Sequence, residues 1–379
     1  MSANLIAGIV FVAVFGVVIL VHELGHFIVG RLFKIEIEEF GIGMPPKMLT
    51  LFTWQGTEFT LNWLPFGGFN RFKGEDNIDG GEPEPGGLSA ASPWARLAVL
   101  LAGAAMNLVL GVLVYSMIFS QTGIPNLERV QVYEVTPGSP AEEAGFLAND
   151  ILLKMNGELI TSDIQMRALT KENLDQTVSI TLLRDGEEIE TSAMPLSNRT
   201  AQEGAFGFLP GFAYNETPSF SETIFHSAQM TYLHARELLL LPGRMLFGNL
   251  SPEEGRFIGF RGIFNIFQQT ISADMESRVE SETTITTTPT PAAEESSPTF
   301  FTLSMIANLT ITLGVFNLLP FPALDGGRIF FLLPELFFRK RVPARFEGIV
   351  HWAGMMLLLG LMFYINIMDF VNPVNISFP

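Results

Sequence analysis

The 379-residue sequence contains no cysteine, and charged residues make up only 16% of it. The absence of cysteine excludes disulfide bonds, thiol catalysis and thiolate zinc sites. Histidine is scarce as well, and any histidine-based metal site must draw on five residues: His22, His26, His226, His234 and His351. Lys and Arg number 22 against 39 Asp and Glu, giving a formal net charge of −17, which argues against a nucleic-acid partner.

Long apolar runs are abundant, since hydrophobic residues make up 48% of the chain. Four runs are near the ~20 residues that cross the hydrocarbon core of a bilayer. They are Leu5–Val21, whose helix could continue to Gly30, then Leu97–Phe119, Phe300–Leu319 and Ile349–Phe370. The first run lacks the basic region and cleavage site of a signal peptide, so we interpret it as a retained span. The sequence thus predicts a polytopic α-helical membrane protein with about four transmembrane helices.

The distribution of Lys and Arg predicts the orientation of these spans. Six basic residues lie between the first and second spans and five between the third and fourth, whereas the N-terminal flank and the tail after Phe370 have none. Both termini are therefore expected on the exterior side and both basic segments in the cytosol. The segment 121–299 is then exterior, and it carries 11 basic and 25 acidic residues.

Composition and pattern divide the chain into five parts. They are the first half of a membrane core (1–120), a β-rich domain (125–197), an amphipathic, membrane-proximal helical region (198–271), a disordered Ser/Thr/Pro/Glu linker (272–298) and the second half of the core (299–379). The β-rich domain is predicted from short strand patterns separated by the turns Asn156-Gly157 and Asp185-Gly186, with one helix over Asp163–Glu172. Phe220–Phe247 is predicted to be a helix on the membrane surface, and the linker composition cannot bury a core.

The string from Thr136 to Ile160 resembles a PDZ domain of the type found in bacterial proteases. It contains Gly-Ser-Pro-Ala, then Ala-Gly, then Asp-Ile-Leu and then Asn-Gly. PDZ domains bind the ends of extended peptides by strand addition, so the resemblance implies peptide ends as partners. A rigid spacer or size filter without a ligand is the alternative interpretation.

The strongest chemical motif is His22-Glu23-Leu24-Gly25-His26, which matches H-E-x-x-H. On a helix, histidines four residues apart leave the same face and can share one zinc ion. Glu23 is then placed to take a proton from water at that ion. Because ionisable side chains within a span are costly, such clusters usually serve a function. We therefore predict a Zn²⁺ cofactor held by His22 and His26, with Glu23 as the catalytic base.

A catalytic zinc site needs a third protein ligand, and topology leaves two candidates for it. His226 and His234 lie on the exterior segment and are disfavoured, because the first span runs inward and carries its motif toward the cytosolic end. Asp325 follows the third span, which also runs inward, and His351 begins the fourth span at a comparable level. Topology alone leaves both of these open.

Together, the H-E-L-G-H motif, the PDZ-like string and the segment from Asn317 to Gly327 resemble the bacterial site-2 proteases. These are membrane-embedded zinc metalloendopeptidases that cut single-pass membrane proteins, such as anti-sigma factors or signal-peptide remnants. The resemblance implies that Asp325 is the third zinc ligand and that Asn317, Pro320 and Pro322 bind substrate. A helix terminus broken by proline is the other interpretation of these last residues, and both can hold together.

The same resemblance implies a bacterial inner-membrane protein with its active site near the cytosolic side and its PDZ domain outside. Two further segments match the family. The pattern of Leu49–Trp63 predicts a β-hairpin turning at Gln55-Gly56, where the family has a membrane-associated hairpin whose edge could hold an extended substrate. In the second span, Gly103 and Asn107 match the family's Gly-Pro-x-x-Asn, with Ala104 in place of the proline.

Two other functions are consistent with parts of this pattern. A membrane scaffold or receptor would use the PDZ domain as its active part and hold a structural zinc. A metal transporter would need polar residues along several spans, and the first, second and fourth spans have few beyond the motif. A zinc-dependent intramembrane endopeptidase, embedded in the lipid bilayer and acting on single-pass membrane proteins, accounts for most of the sequence.

Overall fold

The computed structural model describes residues 3–74, 84–199, 204–215, 218–246, 258–286 and 300–371. The chain forms two compact units. The first, here called the membrane unit, comprises Met1–Ile118 and Ile224–Pro379. The second, here called the β-rich unit, comprises Phe119–Thr223.

The regular elements of the described residues are numbered in chain order. The helices are α1 Ala3–Leu32, α2 Pro93–Thr122, α3 Pro140–Glu143, α4 Asp163–Glu172, α5 Phe220–Leu246, α6 Phe260–Thr286, α7 Phe301–Leu318, α8 Asp325–Phe338 and α9 Ala344–Val371. The strands are β1 Ile37–Trp54, β2 Thr57–Phe72, β3 Ile124–Val135, β4 Ile151–Met155, β5 Glu158–Leu159, β6 Val178–Arg184, β7 Glu187–Ala193 and β8 Phe208–Asn215.

Four helices of the described residues, α1, α2, α7 and α9, are long and apolar enough to cross a membrane. They coincide with the four predicted spans. A helix suits the bilayer because it satisfies its own backbone hydrogen bonds, which lipid cannot do. The surface of α9 exposes large apolar side chains such as Leu357, Phe363 and Phe370, a surface that lipid would cover. These features are those of a membrane protein.

The helices of the membrane unit pack through small and aromatic side chains. Ala7 and Phe11 of α1 form a buried cluster with Phe267 and Ile271 of α6. The start of α6 is tied to α9, because the buried carboxylate of Asp369 accepts hydrogen bonds from the backbone N–H groups of two glycines. These are Gly259, at 2.8 Å, and Gly262, at 3.0 Å. A carboxylate at this end of a helix is also favoured by the helix dipole.

Strands β1 and β2 form a long hairpin that packs against the C-terminal half of α1. It turns at Gln55-Gly56, as predicted, where both residues have positive φ, but it extends well beyond the predicted Leu49–Trp63. Residues 39–42 lie opposite both residues 58–61 and residues 68–71, so β2 folds back across β1. Phe27 of α1 anchors the hairpin, with its ring 5.6 Å from that of Phe40 and 5.5 Å from that of Phe59.

The β-rich unit contains an antiparallel sheet in the order β7-β6-β4-β3-β8, with β5 paired to β4. Its core consists of buried apolar side chains from the sheet and the helices, including Val130, Val132, Phe146, Leu152, Met155, Met166, Val178, Ile180 and Leu182. Helix α4 has the predicted bounds, and the Ser162 hydroxyl caps it by accepting a hydrogen bond from the Gln165 backbone N–H at 3.2 Å.

The predicted end of the β-rich domain at residue 197 is wrong. Strand β8 pairs with β3, and both Phe206 and Phe208 are buried in the same core. This strand therefore falls within the 198–271 region that was predicted to be helical. The pairing partner of β8 lies more than 70 residues earlier in the chain, so a local pattern could not reveal it.

The predicted start of a disordered linker at residue 272 is also wrong, because α6 continues to Thr286. Asp274 supplies a physical reason. Its carboxylate accepts hydrogen bonds from the backbone N–H groups of Phe301, at 2.9 Å, and Thr302, at 3.0 Å. It thereby caps the start of α7, which links the two helices. The rest of the predicted linker, 287–298, lies outside the described residues.

Candidate active site

The H-E-x-x-H motif lies on α1, where close contact with α2 buries it. His22 and His26 are each only 7% exposed, and their Nε2 atoms are 3.1 Å apart. Glycines permit this contact from both helices. A Cβ at Gly25 would lie 2.7 Å from the carbonyl carbon of Ala102, and one at Gly103 would lie 2.7 Å from Cε1 of His22. Gly103, which matches a glycine of the family pattern in the second span, therefore has a steric role, because a side chain at this position would collide with the histidines.

Asp325 joins the two histidines, although it lies about 300 residues later in the chain. Helix α7 ends at Leu318, the chain turns, and Asp325 is the first residue of α8. Its Oδ2 atom is 3.1 Å from Nε2 of His22 and 3.2 Å from Nε2 of His26. Burial raises the pKa of the Asp325 carboxyl, while contact with the two imidazoles, when these carry protons, lowers it below its usual range.

His351, the other candidate for third ligand, does not join this cluster. Its Nδ1 atom accepts a hydrogen bond of 2.8 Å from the backbone N–H of Ala323, two residues before Asp325. Ala323 has a φ of +81°, a conformation that costs free energy for any residue with a side chain. His351 thus holds the turn that leads into α8.

The protonation pattern of the cluster fits a bound cation. Nδ1 of His26 lies 2.7 Å from the carbonyl oxygen of Val99. Since a carbonyl only accepts, Nδ1 carries the hydrogen and Nε2 presents its lone pair to Asp325. Such a hydrogen bond from a histidine's second nitrogen is usual at metal sites.

The hydrogen bonding of Asn107 to His22 also fits a metal site. Its amide nitrogen lies 3.5 Å from Nδ1 of His22, while its Oδ1 atom is buried and lacks a hydrogen-bond partner among the described residues. The two ends of an amide are assigned from the hydrogen-bond network. If the amide is rotated by a half turn, Oδ1 accepts from Nδ1–H of His22, and Nε2 of His22 is left with its lone pair. His22, His26 and Asp325 then offer three ligand atoms within 4.8 Å of one another, a donor set that suits Zn²⁺.

Glu23 is held by a residue that the sequence did not single out. Asn70 of β2 donates hydrogen bonds from its amide to the backbone carbonyl of Glu23, at 2.7 Å, and to its carboxylate Oε2, at 2.8 Å. The neighbouring Gly68 passes close by, since a Cβ there would be 3.2 Å from Cγ of Glu23. The only local signal was the position of Asn70 just after the Gly-Gly-Phe segment.

The predicted substrate-binding residues lie around the turn between α7 and α8. Asn317 is in the last turn of α7, and Pro320 is exposed in the loop that follows. Pro322 packs against α9, where a Cβ at Gly354 would lie 2.8 Å from its carbonyl carbon. The helix ends just before these prolines, in keeping with a proline-broken terminus. His226 and His234 are outside the three-residue cluster.

Comparison with known proteins identifies the family of this chain. The family model described as "Peptidase family M50" matches residues 10–361. A protein of Clostridium perfringens strain 13, named "Putative zinc metalloprotease CPE1693", is 34% identical over 363 residues, which is 95% of this chain and 97% of that protein. "Metalloprotease MmpA" of Caulobacter vibrioides is 27% identical over 383 residues, covering 93% of this chain and 92% of its own length.

A comparison with solved structures gives a partial match. The PDZ domain of an SdrC-like protein from Listeria monocytogenes covers 22% of this chain and 87% of its own, with 16% identity and a TM-score of 0.20. A score of that size does not establish a shared fold, whereas the family match and the relatives cover nearly the whole chain. This chain belongs to peptidase family M50, the site-2 protease family of zinc-dependent metalloproteases.

Proposed function

We propose that this metalloprotease cleaves peptide bonds within membrane-spanning segments of single-pass proteins, with zinc held by His22, His26 and Asp325. The observation that carries the proposal is the convergence of three ligand atoms within 4.8 Å of one another, next to Glu23, at a buried site between helices of membrane-spanning length. Catalytic zinc sites use three protein ligands and keep one position for water or substrate. A structural zinc in a scaffold protein would instead have a closed set of four.

Glu23 is the general base in this proposal. It takes a proton from the attacking water and passes it to the nitrogen of the leaving amine. When bound, Zn²⁺ polarises the scissile carbonyl and acidifies water. Asn70 keeps the Glu23 carboxylate oriented through the 2.8 Å hydrogen bond to Oε2. Val99 and Asn107 fix the ring orientations of His26 and His22 by the hydrogen bonds described above.

Substrate must reach this site in extended form, because a helix hides its peptide bonds in hydrogen bonds. The stretch of β2 around Gly67 and Gly68, which passes beside Glu23, is the proposed pairing edge for an unwound segment. Asn317, Pro320 and Pro322 are proposed to contact the same segment, since they lie just before Asp325. The Pro residues lack backbone N–H groups, so they leave nearby carbonyls as acceptors for a substrate.

The proposed location is a bacterial inner membrane, with both termini and the β-rich unit outside and the active site near the cytosolic face. The basic residues that flank the spans support this orientation. The β-rich unit is proposed to act as a PDZ domain that binds peptide ends, which would restrict entry to suitably trimmed substrates. The Gly-Ser-Pro-Ala and Asn-Gly segments of the sequence support that part.

The decisive experiment compares Glu23→Gln with wild type, using purified full-length protein and a single-span membrane substrate. We expect the cleavage rate to fall about 10²- to 10⁴-fold, while the zinc content stays unchanged because Glu23 is not a ligand. Glu38→Gln is the matched control. Glu38 is an exposed carboxylate on β1 whose ion pair with Arg71, at 3.4 Å, is on the surface and contributes little. Normal cleavage by Glu23→Gln would disprove the assignment of the base.

A further inference from the structure

A partly enclosed apolar cavity of about 230 Å³ lies within the membrane unit, close to the candidate active site. Its walls are almost entirely carbon atoms, contributed by α1, α6, α7 and β2. The residues used in the argument below are Gly16, Ile19, Gly67, Phe260, Leu309 and Leu313. An apolar cavity of about 150 Å³ can hold benzene, so this one has room for a side chain as large as Leu or Phe.

The cavity begins one helical turn from the catalytic glutamate. Ile19 precedes Glu23 by four residues and therefore lies on the same face of α1, about 6 Å away along the helix axis. Strand β2 links the two places. Gly67 lines the cavity, and a Cβ on Gly68 would lie 3.2 Å from Cγ of Glu23 and 3.6 Å from Cγ2 of Ile19. Cavity and glutamate are thus adjacent parts of one surface.

Nothing in the described part of the chain fills this cavity next to Gly16. A Cβ built on Gly16 meets no heavy atom of the described residues within 4 Å. An extended peptide advances about 3.3 Å per residue, so a distance of about 6 Å corresponds to one or two residues. A side chain of a substrate that pairs with β2 would therefore reach the cavity from a position near the cleaved bond.

We propose that this cavity is a specificity subsite that receives a large apolar side chain of the substrate, one or two residues from the cleaved bond. The inference rests on the proposed intramembrane cleavage. Its chemistry matches, because carbon-lined walls favour Leu, Met or Phe and disfavour any polar group that would lose its hydrogen bonds. Continuity with Glu23 through Gly67 and Gly68 favours a substrate side chain over a lipid chain, and the volume is small for an acyl chain.

The test fills the cavity from Gly16. A library of single-span membrane peptides, randomised over the central residues, is digested with full-length zinc-loaded protein, and the cut sites are read by mass spectrometry. Wild type should show one position within two residues of the cut where Leu, Met or Phe is preferred over Ala by at least about tenfold. Gly16→Leu should abolish that preference and leave zinc content unchanged. Gly8→Leu is the matched control, since Gly8 lies on the same helix with equally open space.

A second variant guards against a folding defect in Gly16→Leu. Leu309→Ala enlarges the cavity from the α7 side and should shift the preference from Leu toward Phe. If Gly16→Leu keeps the wild-type preference, or slows all substrates equally as displacement of a lipid would, the subsite is disproved and the protease assignment stands. If wild type gives no cleavage that depends on Glu23, the proposed function and the subsite both fail.

Discussion

Asp150 in the β-rich unit is a buried carboxylate and Asp325 in the membrane unit is a partly buried one, and their partners differ in kind. Asp150 is paired with the guanidinium of Arg184, through Nε at 2.7 Å and Nη2 at 2.6 Å, and it accepts the backbone N–H of Leu147 at 2.8 Å. Asp325 faces the imidazoles of His22 and His26. An imidazole brings a positive charge only when it is protonated.

The difference indicates which carboxylate serves structure and which serves chemistry. A buried charge is costly unless it is paired and hydrogen-bonded. The Arg184 guanidinium meets that need for Asp150 in two-pronged geometry. For Asp325, the orientation of His26 by Val99 leaves a lone pair rather than a proton facing the carboxylate, so the group is fully compensated only when a cation binds. We therefore predict that loss of the Asp325 carboxylate abolishes zinc binding, whereas loss of the Asp150 carboxylate lowers the stability of the β-rich unit.

The largest expected effect is that of Asp325→Ala on zinc binding. Two histidines alone are an incomplete ligand set, so zinc content should fall from about one per chain to near zero, and cleavage should be lost with it. Zinc is measured by elemental analysis after dialysis, and the thermal unfolding of the β-rich unit serves as a control that should not change. Full zinc content in Asp325→Ala would remove Asp325 from the proposed ligand set.

Asp150→Ala should show the reverse pattern. It leaves Arg184 without its partner and should destabilise the β-rich unit by about 3 kcal/mol, which lowers its unfolding temperature by roughly 10 to 20 °C for a unit of this size. Zinc content should stay at the wild-type level. The midpoint is followed by proteolysis of the full-length protein during heating. A loss of zinc in this variant would contradict the separation of the two roles.

Asn107 sharpens the comparison, because it is the buried amide that completes the hydrogen bonding of His22. Asn107→Leu removes the acceptor for Nδ1–H of His22 and should weaken zinc binding about 10- to 100-fold. Asn107→Asp keeps an acceptor oxygen at the same place and should retain most of the affinity. Competition against a chelator measures both variants. Equal affinity of the Leu variant and wild type would show that the amide does not orient His22.

The parts of this molecule that sequence could predict are those written in short-range patterns. The four spans follow from composition over about 20 residues, and the placement of His22 and His26 on one face follows from their spacing of four. The turn at Gln55-Gly56 and helix α4 have equally local signals. All of these depend on neighbours along the chain, so no knowledge of packing was needed.

The remaining features depend on contacts between distant segments. Topology left Asp325 and His351 as equal candidates, and the resemblance to a family was needed to choose. Asn70 contacts Glu23 across 47 residues, and its only local signal in the sequence is its position just after the Gly-Gly-Phe segment. The cap that Asp274 provides for α7 also depends on a distant partner, Phe301. The Ser- and Thr-rich composition around Asp274 predicted a disordered linker and gave no sign of this contact.

The smallest expected effect is that of replacing His351. This replacement distinguishes a residue that positions the turn from a residue that binds zinc. His351→Leu removes the acceptor for the Ala323 N–H, and loss of one hydrogen bond of about 1 kcal/mol should weaken zinc binding roughly fivefold. His351→Asn offers Oδ1 at nearly the place of Nδ1 and should restore the affinity. If His351 were itself a ligand, both variants would lose zinc entirely, as Asp325→Ala does. Rescue by Asn is therefore the result that distinguishes support of the turn from coordination, and it confines His351 to holding the loop that presents Asp325.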